Sequence, residues 1–178
     1  DIFGSRGLGD VYKRQGVWFK NFIKGEGRGH DYFLSFDNTF DITEVVRPRT
    51  SPLLNTFDTQ DGTRYLWCTF SKDQVDYNFN NPKVINEFVE IILYYLKMGI
   101  TIFRFDAVAF LWKRIGTSCM NLEKTHEIIR LFRTIIDYLS PYTVLVTETN
   151  TPAAENVSYF GNGNEAHWIY NFSLPPIL

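Results

Sequence analysis

Two carboxylates and one guanidinium are the side chains whose spacing could do chemistry. Asp106 ends a short β-rich run, residues 100–105, and Glu148 ends a second one, residues 143–147. If both runs are neighbouring parallel strands, about 5 Å apart, their carboxyl groups could face each other across a pocket. A pair about 5–5.5 Å apart serves retaining glycoside chemistry: one carboxylate attacks the anomeric carbon, and the other protonates the leaving oxygen and then activates the acceptor. Arg104 lies two residues before Asp106, so on a strand both side chains point the same way. A guanidinium there would keep Asp106 ionised, as a nucleophile requires. Glu148 must start protonated, which an apolar, partly buried setting would favour. Spacing alone leaves a structural alternative open, in which Arg104 and Asp106 form an ion pair and Glu148 caps the following loop.

Other chemistry-bearing residues read more blandly. His126 falls at the start of a helical pattern and reads as surface or packing. His167 precedes a short strand and could border a pocket. Cys68 and Cys119 are too few for a disulfide framework and read as reduced thiols. No base can be named for Cys119 as a nucleophile. Arg47 and Arg49 fit either a phosphate contact or a loop ion pair. Asn156-Val-Ser158 matches a glycosylation pattern but has no secretory context. No His, Cys or carboxylate group has metal-ligand spacing; the expectation is no metal and no cofactor.

Charge narrows the class further. Twenty acidic and 18 basic side chains give a net charge of −2, without the basic excess of a nucleic-acid binder. The most apolar stretch, residues 88–102, is interrupted by Glu90 and Lys97, and no run reaches the roughly 18 residues that span a bilayer. Residues 1–15 have no apolar core of a signal segment, which makes a cytoplasmic location the expectation. The 17% aromatic content fits a core first and sugar-stacking surfaces second.

The elements that must position Asp106 and Glu148 lie in the second half. Asn80-Asn81-Pro82 opens a helix whose apolar residues recur at 84, 85, 88, 91, 92, 95 and 96, with Gly99 as its stop. Tyr94, Tyr95 and Phe88 read as its packing face. A strand over 100–105 follows, then a helix over 122–139 closed by Pro141, a strand over 143–147, and a short strand over 168–172. Such alternation predicts a parallel sheet with helices outside, with the active site at the C-terminal strand ends. Residues 16–80 show no long helical pattern. They read as a loop-rich inserted subdomain with one hairpin, turning at Asp61-Gly62 between residues 55–57 and 65–70. Residues 1–15 read as a foreign, adapter-derived segment carrying no chemistry; their glycines lack the spacing of a nucleotide loop.

The residues around the carboxylates resemble a known family. Phe103-Arg-Phe-Asp-Ala-Val-Ala109 resembles the nucleophile strand of the α-amylase superfamily, glycoside hydrolase family 13, and Thr147-Glu-Thr-Asn150 resembles its acid/base strand. Val46-Arg-Pro-Arg49, the stretch from Trp67 to Asp76, Gly116-Thr-Ser-Cys119 and the stretch from Tyr170 to Pro176 are similar to the sucrose phosphorylase group, which includes the phosphorylases of sucrose 6′-phosphate and glucosylglycerate. The resemblance implies part of a (β/α)8 barrel, about strands four to six, over residues 81–178. It implies Asp106 as nucleophile, Glu148 as general acid/base, Arg104 as partner of Asp106, Phe70 beside the glucosyl site and Gln74 on the acceptor side. It further implies a small carbohydrate and inorganic phosphate as substrates. The family's third acid, and the early Asp and His that hold glucose, have no match here. A hydrolase or transglucosylase of the same superfamily, and a non-catalytic carbohydrate-binding homologue, are the alternative readings.

Overall fold

A computed structural model describes the backbone of residues 8–9 and 11–13, and residues 16–171. In chain order the elements are β1 (Leu8–Gly9), β2 (Val11–Lys13), α1 (Val17–Lys24), β3 (Ser35–Phe36), β4 (Leu54–Thr59), β5 (Gly62–Trp67), β6 (Gln74–Asp76), α2 (Pro82–Lys97), β7 (Ile102–Asp106), α3 (Glu123–Leu139), β8 (Val144–Thr147), α4 (Ala153–Ser158) and β9 (Trp168–Ile169). A single 3-10 turn, Val108–Phe110, follows β7. Two compact units result. One holds residues 11–13, 16–85 and 112–120; the other holds 8–9, 86–111 and 121–171. The division falls inside α2, and residues 112–120 belong with the first unit although they follow β7.

The sheet unit has the predicted alternation. Its strands run in the order β1-β7-β8-β9, all parallel. The expected strand at 100–105 starts two residues later because Ile100 belongs to the end of α2. Gly99 adopts φ +81°, its N–H donates to the Leu96 carbonyl, and that of Ile100 donates back to Tyr95 at 3.1 Å. This is the Schellman ending, which a glycine makes sterically free. α3 begins at Glu123, with Leu122 extended before it, and covers one sheet face: Phe132 meets Phe105 edge-on at 5.6 Å and stacks on Phe88 of α2 at 6.4 Å. The last expected strand is described only over Trp168–Ile169, and the part of its motif from Phe172 onward lies outside the described residues.

The first unit is an antiparallel assembly around aromatic side chains, with sheet order β3-β5-β4 and a separate β2-β6 pair. The predicted hairpin is β4–β5, but its turn residues are Gln60 and Asp61. Thr59 pairs with Gly62, which supplies φ +107° just after the turn. β5 therefore ends at Trp67, and Phe70 lies beyond the strand expected to carry it. A helix unforeseen in this half, α1, buries Phe19 and Phe22 and ends at Gly25 with φ +65°. Leu53, Trp67 and Cys119 form a buried core with Leu34, Phe36, Phe40 and Ile42 packed against it.

The segment expected to be foreign falls outside the described residues except at β1 and β2. The backbone of β1 lies beside β7, with Gly9 opposite Asp106, and that of β2 beside β6.

Candidate active site

The parallel sheet has two unlike faces. Phe103, Phe105, Leu145 and Thr147 are buried on the face that α3 covers. Alternation along each strand sends Arg104, Asp106, Val146 and Glu148 to the other face. Arg104 pairs across to Val146, and Val146 to Trp168. One step further, the Glu148 N–H donates to the Phe105 carbonyl at 2.8 Å, which brings Glu148 alongside Asp106 at the C-terminal edge. Ala107, at φ +53°, turns the chain away immediately after Asp106.

One guanidinium serves both acids. Arg104 Nη2 lies 3.4 Å from Asp106 Oδ1 and also contacts Glu148 Oε2. Two oxygens within reach of a single nitrogen are no more than about 6 Å apart. That is below the roughly 6.5–9.5 Å of inverting carboxylate pairs and compatible with the about 5–5.5 Å of retaining ones. The Arg104 and Asp106 side chains are each 43% exposed and that of Glu148 20%, so a ligand can approach all three. Glu148 Oε2 is itself buried and lacks an aligned hydrogen bond; Arg104 reaches it as a charge contact. Arg104 thus reaches Glu148 as well as Asp106, and the partly buried Glu148 carboxyl group meets a cation.

Behind Arg104 stands a residue to which the sequence reading gave no role. The Tyr170 ring lies under the guanidinium, 5.6 Å from centroid to Cζ. Its N–H donates to the Thr147 carbonyl at 2.9 Å. Its own carbonyl accepts from Asn156 Nδ2 at 2.8 Å, and Asn156 Oδ1 accepts from the Thr149 hydroxyl at 2.6 Å. Asn156 is buried with both ends of its amide engaged, so its sequence pattern marks a structural bridge and not a glycan acceptor.

Phe70 and Gln74 belong to the first unit. Phe70 is half-buried in the loop between β5 and β6, and its carbonyl accepts from the Ser51 hydroxyl at 3.0 Å. Gln74 opens β6, with Oε1 3.2 Å from the Ser71 hydroxyl. Beside them lies a charge cluster the sequence did not announce. Asp76 Oδ2 meets Lys113 Nζ at 2.5 Å, with side-chain exposures of 0% and 4%. Thr69 donates to the same carboxylate through its N–H at 2.9 Å and its hydroxyl at 2.5 Å, and Trp67 Nε1 donates to the Thr69 hydroxyl. Asp76 lies inside a motif the sequence reading singled out, but its partner comes from beyond β7, and nothing local signals that.

His126 and His167 both serve the packing. His126 stacks on Tyr159, 4.5 Å between centroids, and shares the buried Glu165 with Arg130. Burial, and then the charges of Glu165 and Glu155, push the Tyr159 hydroxyl up; it donates to Asn121 Oδ1 at 2.8 Å. His167 Nδ1 accepts the Leu145 N–H at 3.0 Å. Burial and then Arg133 hold its pKa below the usual histidine range, against the opposing pull of Asp137. Arg47 donates to the Ser51 carbonyl. Cys68 and Cys119 are buried thiols and not joined in a disulfide. Among the described residues no cluster of His, Cys, Asp and Glu could hold a metal ion, and no helix is long and apolar enough to cross a membrane.

Comparison with known proteins agrees with the motifs. Residues 13–177 match the family model described as alpha amylase, catalytic domain. The chain is 49% identical over 163 residues to glucosylglycerate phosphorylase of Escherichia coli K12, covering 90% of this chain and 29% of that protein. It is 44% identical to the glucosylglycerate phosphorylase of Spirochaeta thermophila, covering 27% of that protein. The chain thus spans under a third of the length of these relatives. Among solved structures, sucrose 6F-phosphate phosphorylase from Thermoanaerobacter thermosaccharolyticum superposes with a TM-score of 0.79 at 26% identity, over 96% of this chain and 37% of that one. With its parallel strands, outer helices and strand-end motifs, the chain belongs to the alpha-amylase catalytic-domain family and carries part of that family's (β/α)8 barrel.

Proposed function

We propose that this chain supplies the reacting carboxylates of a retaining α-glucosyl phosphorylase. The observation that carries the reading is the single guanidinium nitrogen of Arg104 reaching both Asp106 and Glu148 at the same edge of one parallel sheet. An Asp106 oxygen attacks C1 of the glucosyl unit as the glycosidic C1–O bond breaks, and Glu148 gives its proton to the departing oxygen. A phosphate oxygen then attacks C1 of the covalent intermediate. Its proton goes to Glu148, the C1–Asp106 bond breaks, and α-glucose 1-phosphate leaves with configuration retained. Sucrose or a related glucoside is the donor, in a cytoplasmic enzyme without metal or cofactor. Phe70 packs beside the glucosyl unit and Gln74 lines the acceptor side. The phosphorylase relatives support phosphate as the acceptor.

The test uses the complete catalytic domain containing this chain. Proton NMR of the first product should show α-glucose 1-phosphate formed only when phosphate is present. Asp106→Asn should remove turnover, by roughly 10⁴-fold or more. Phosphate-independent release of glucose would favour the hydrolase reading. Unchanged turnover in Asp106→Asn would favour a binding homologue. The 178-residue chain alone should turn over no glucoside.

A further inference from the structure

We infer that Tyr170 holds Arg104 in the shared position between Asp106 and Glu148, by presenting its ring face to the guanidinium. The inference rests on the catalytic reading of the two acids.

Three observations converge. First, Arg104 is exposed enough to swing: its side chain is 43% accessible, and a long side chain at such a site keeps much of its rotamer freedom. Something must favour the one orientation in which a single nitrogen reaches both acids. Second, the Tyr170 ring lies 5.6 Å from Arg104 Cζ, inside the roughly 6 Å range of cation–π attraction. A flat ring suits a flat guanidinium and leaves its edge nitrogens free for carboxylates. Third, Tyr170 is itself anchored. Its N–H is held by Thr147 and its carbonyl by Asn156, which in turn binds the Thr149 hydroxyl. Thr147 and Thr149 flank Glu148: the Thr147 carbonyl is tied directly to the Tyr170 N–H, and the Thr149 hydroxyl is tied through the Asn156 amide to the Tyr170 carbonyl.

The proposed contact is to the ring face, so Tyr170→Phe should behave as the native residue in holding Arg104 and Tyr170→Leu should not. In the complete catalytic domain, Tyr170→Leu should lower kcat about tenfold or more with KM within about twofold, and Tyr170→Phe should restore kcat to within about twofold. A merely structural role would not move the second readout, the nitrogen-15 resonance of the Arg104 Nε–H in the 178-residue chain. It should be a single sharp, ring-shifted signal in the native chain and in Tyr170→Phe. In Tyr170→Leu it should be broadened and displaced toward free arginine. If Tyr170→Leu fails to fold, the Phe variant and the native Arg104 signal still decide: a native signal without ring shift overturns the proposal. Equal kcat in the Leu variant, with Asp106→Asn inactive, overturns the role of Tyr170 and leaves the catalytic reading standing. Activity in Asp106→Asn overturns the catalytic reading itself.

Discussion

Two of the clusters in which a cation meets a carboxylate, one in each unit, are built in opposite ways. On the sheet, Arg104, Asp106 and Glu148 sit in a half-open row, and one nitrogen is divided between two acids. In the other unit, Asp76 and Lys113 are sealed from water, and the carboxylate also takes two bonds from Thr69. The sealed pair has nothing left to offer a ligand, because its oxygens are committed and no substrate can reach them. The open row keeps its groups accessible and only loosely satisfied, as the proposed reaction requires. Accessibility and incomplete satisfaction, more than charge, separate a site from a scaffold.

The largest effect expected of this contrast is on rate. Asp106→Asn should cost roughly 10⁴-fold or more in turnover of the complete domain, while the denaturation midpoint of the 178-residue chain stays nearly fixed. A large loss of stability there would mean that the open row is structural after all. The next effect is on stability, with the roles reversed. Lys113→Met strands a buried carboxylate, which costs about 3–5 kcal/mol, read as a lower urea midpoint or the loss of a folded baseline. Arg104→Met, from a solvated pair, should cost under about 1 kcal/mol. Equal losses from the two would erase the distinction.

A smaller effect involves His167. Its Nδ1 accepts a backbone N–H, which an imidazolium cannot do, and its folded pKa is held down by burial, then by Arg133. The unfolded chain therefore binds the proton more readily. The stability tied to neutral His167 is complete above the ordinary histidine pKa of about 6.5. It is lost progressively as pH falls from there toward the lower folded value. His167→Asn keeps an acceptor and removes the titration. Comparing the urea midpoints of the two chains between pH 7.5 and 5.5 should show the steeper fall in the native one.

How much was legible follows the same division. In the sheet unit, apolar spacing at 84–96 and 128–139 gave the helices, and Gly99 gave the stop. The β-rich runs ended where the acids sit, so the pair could be placed on adjacent strand ends from residues alone. The antiparallel unit was harder. α1 has only eight residues, too short for its pattern to stand out among aromatic clusters, although Phe19, Phe22 and Gly25 carried the signal. The turn of the hairpin fell one residue early because Gly62 follows the bend instead of forming it. Asp76 and Lys113 meet only after the chain has passed through α2 and β7, a pairing no window of sequence contains. Tyr170 was visible in a motif, but its service to Arg104 needed the register of β8 against β9.

Ala107 carries a last consequence. It sits at φ +53° directly after Asp106, in a conformation that costs a residue with a Cβ about 1–2 kcal/mol and glycine almost nothing. Glycine would relieve that strain but widen the freedom of the unfolded chain, and it would slacken the bend that aims Asp106. The chain thus gives up some folding free energy at position 107 to keep a stiff corner beside the acid proposed to react, a local form of the exchange between stability and activity. Ala107→Gly in the complete domain should leave the fold intact and lower the rate.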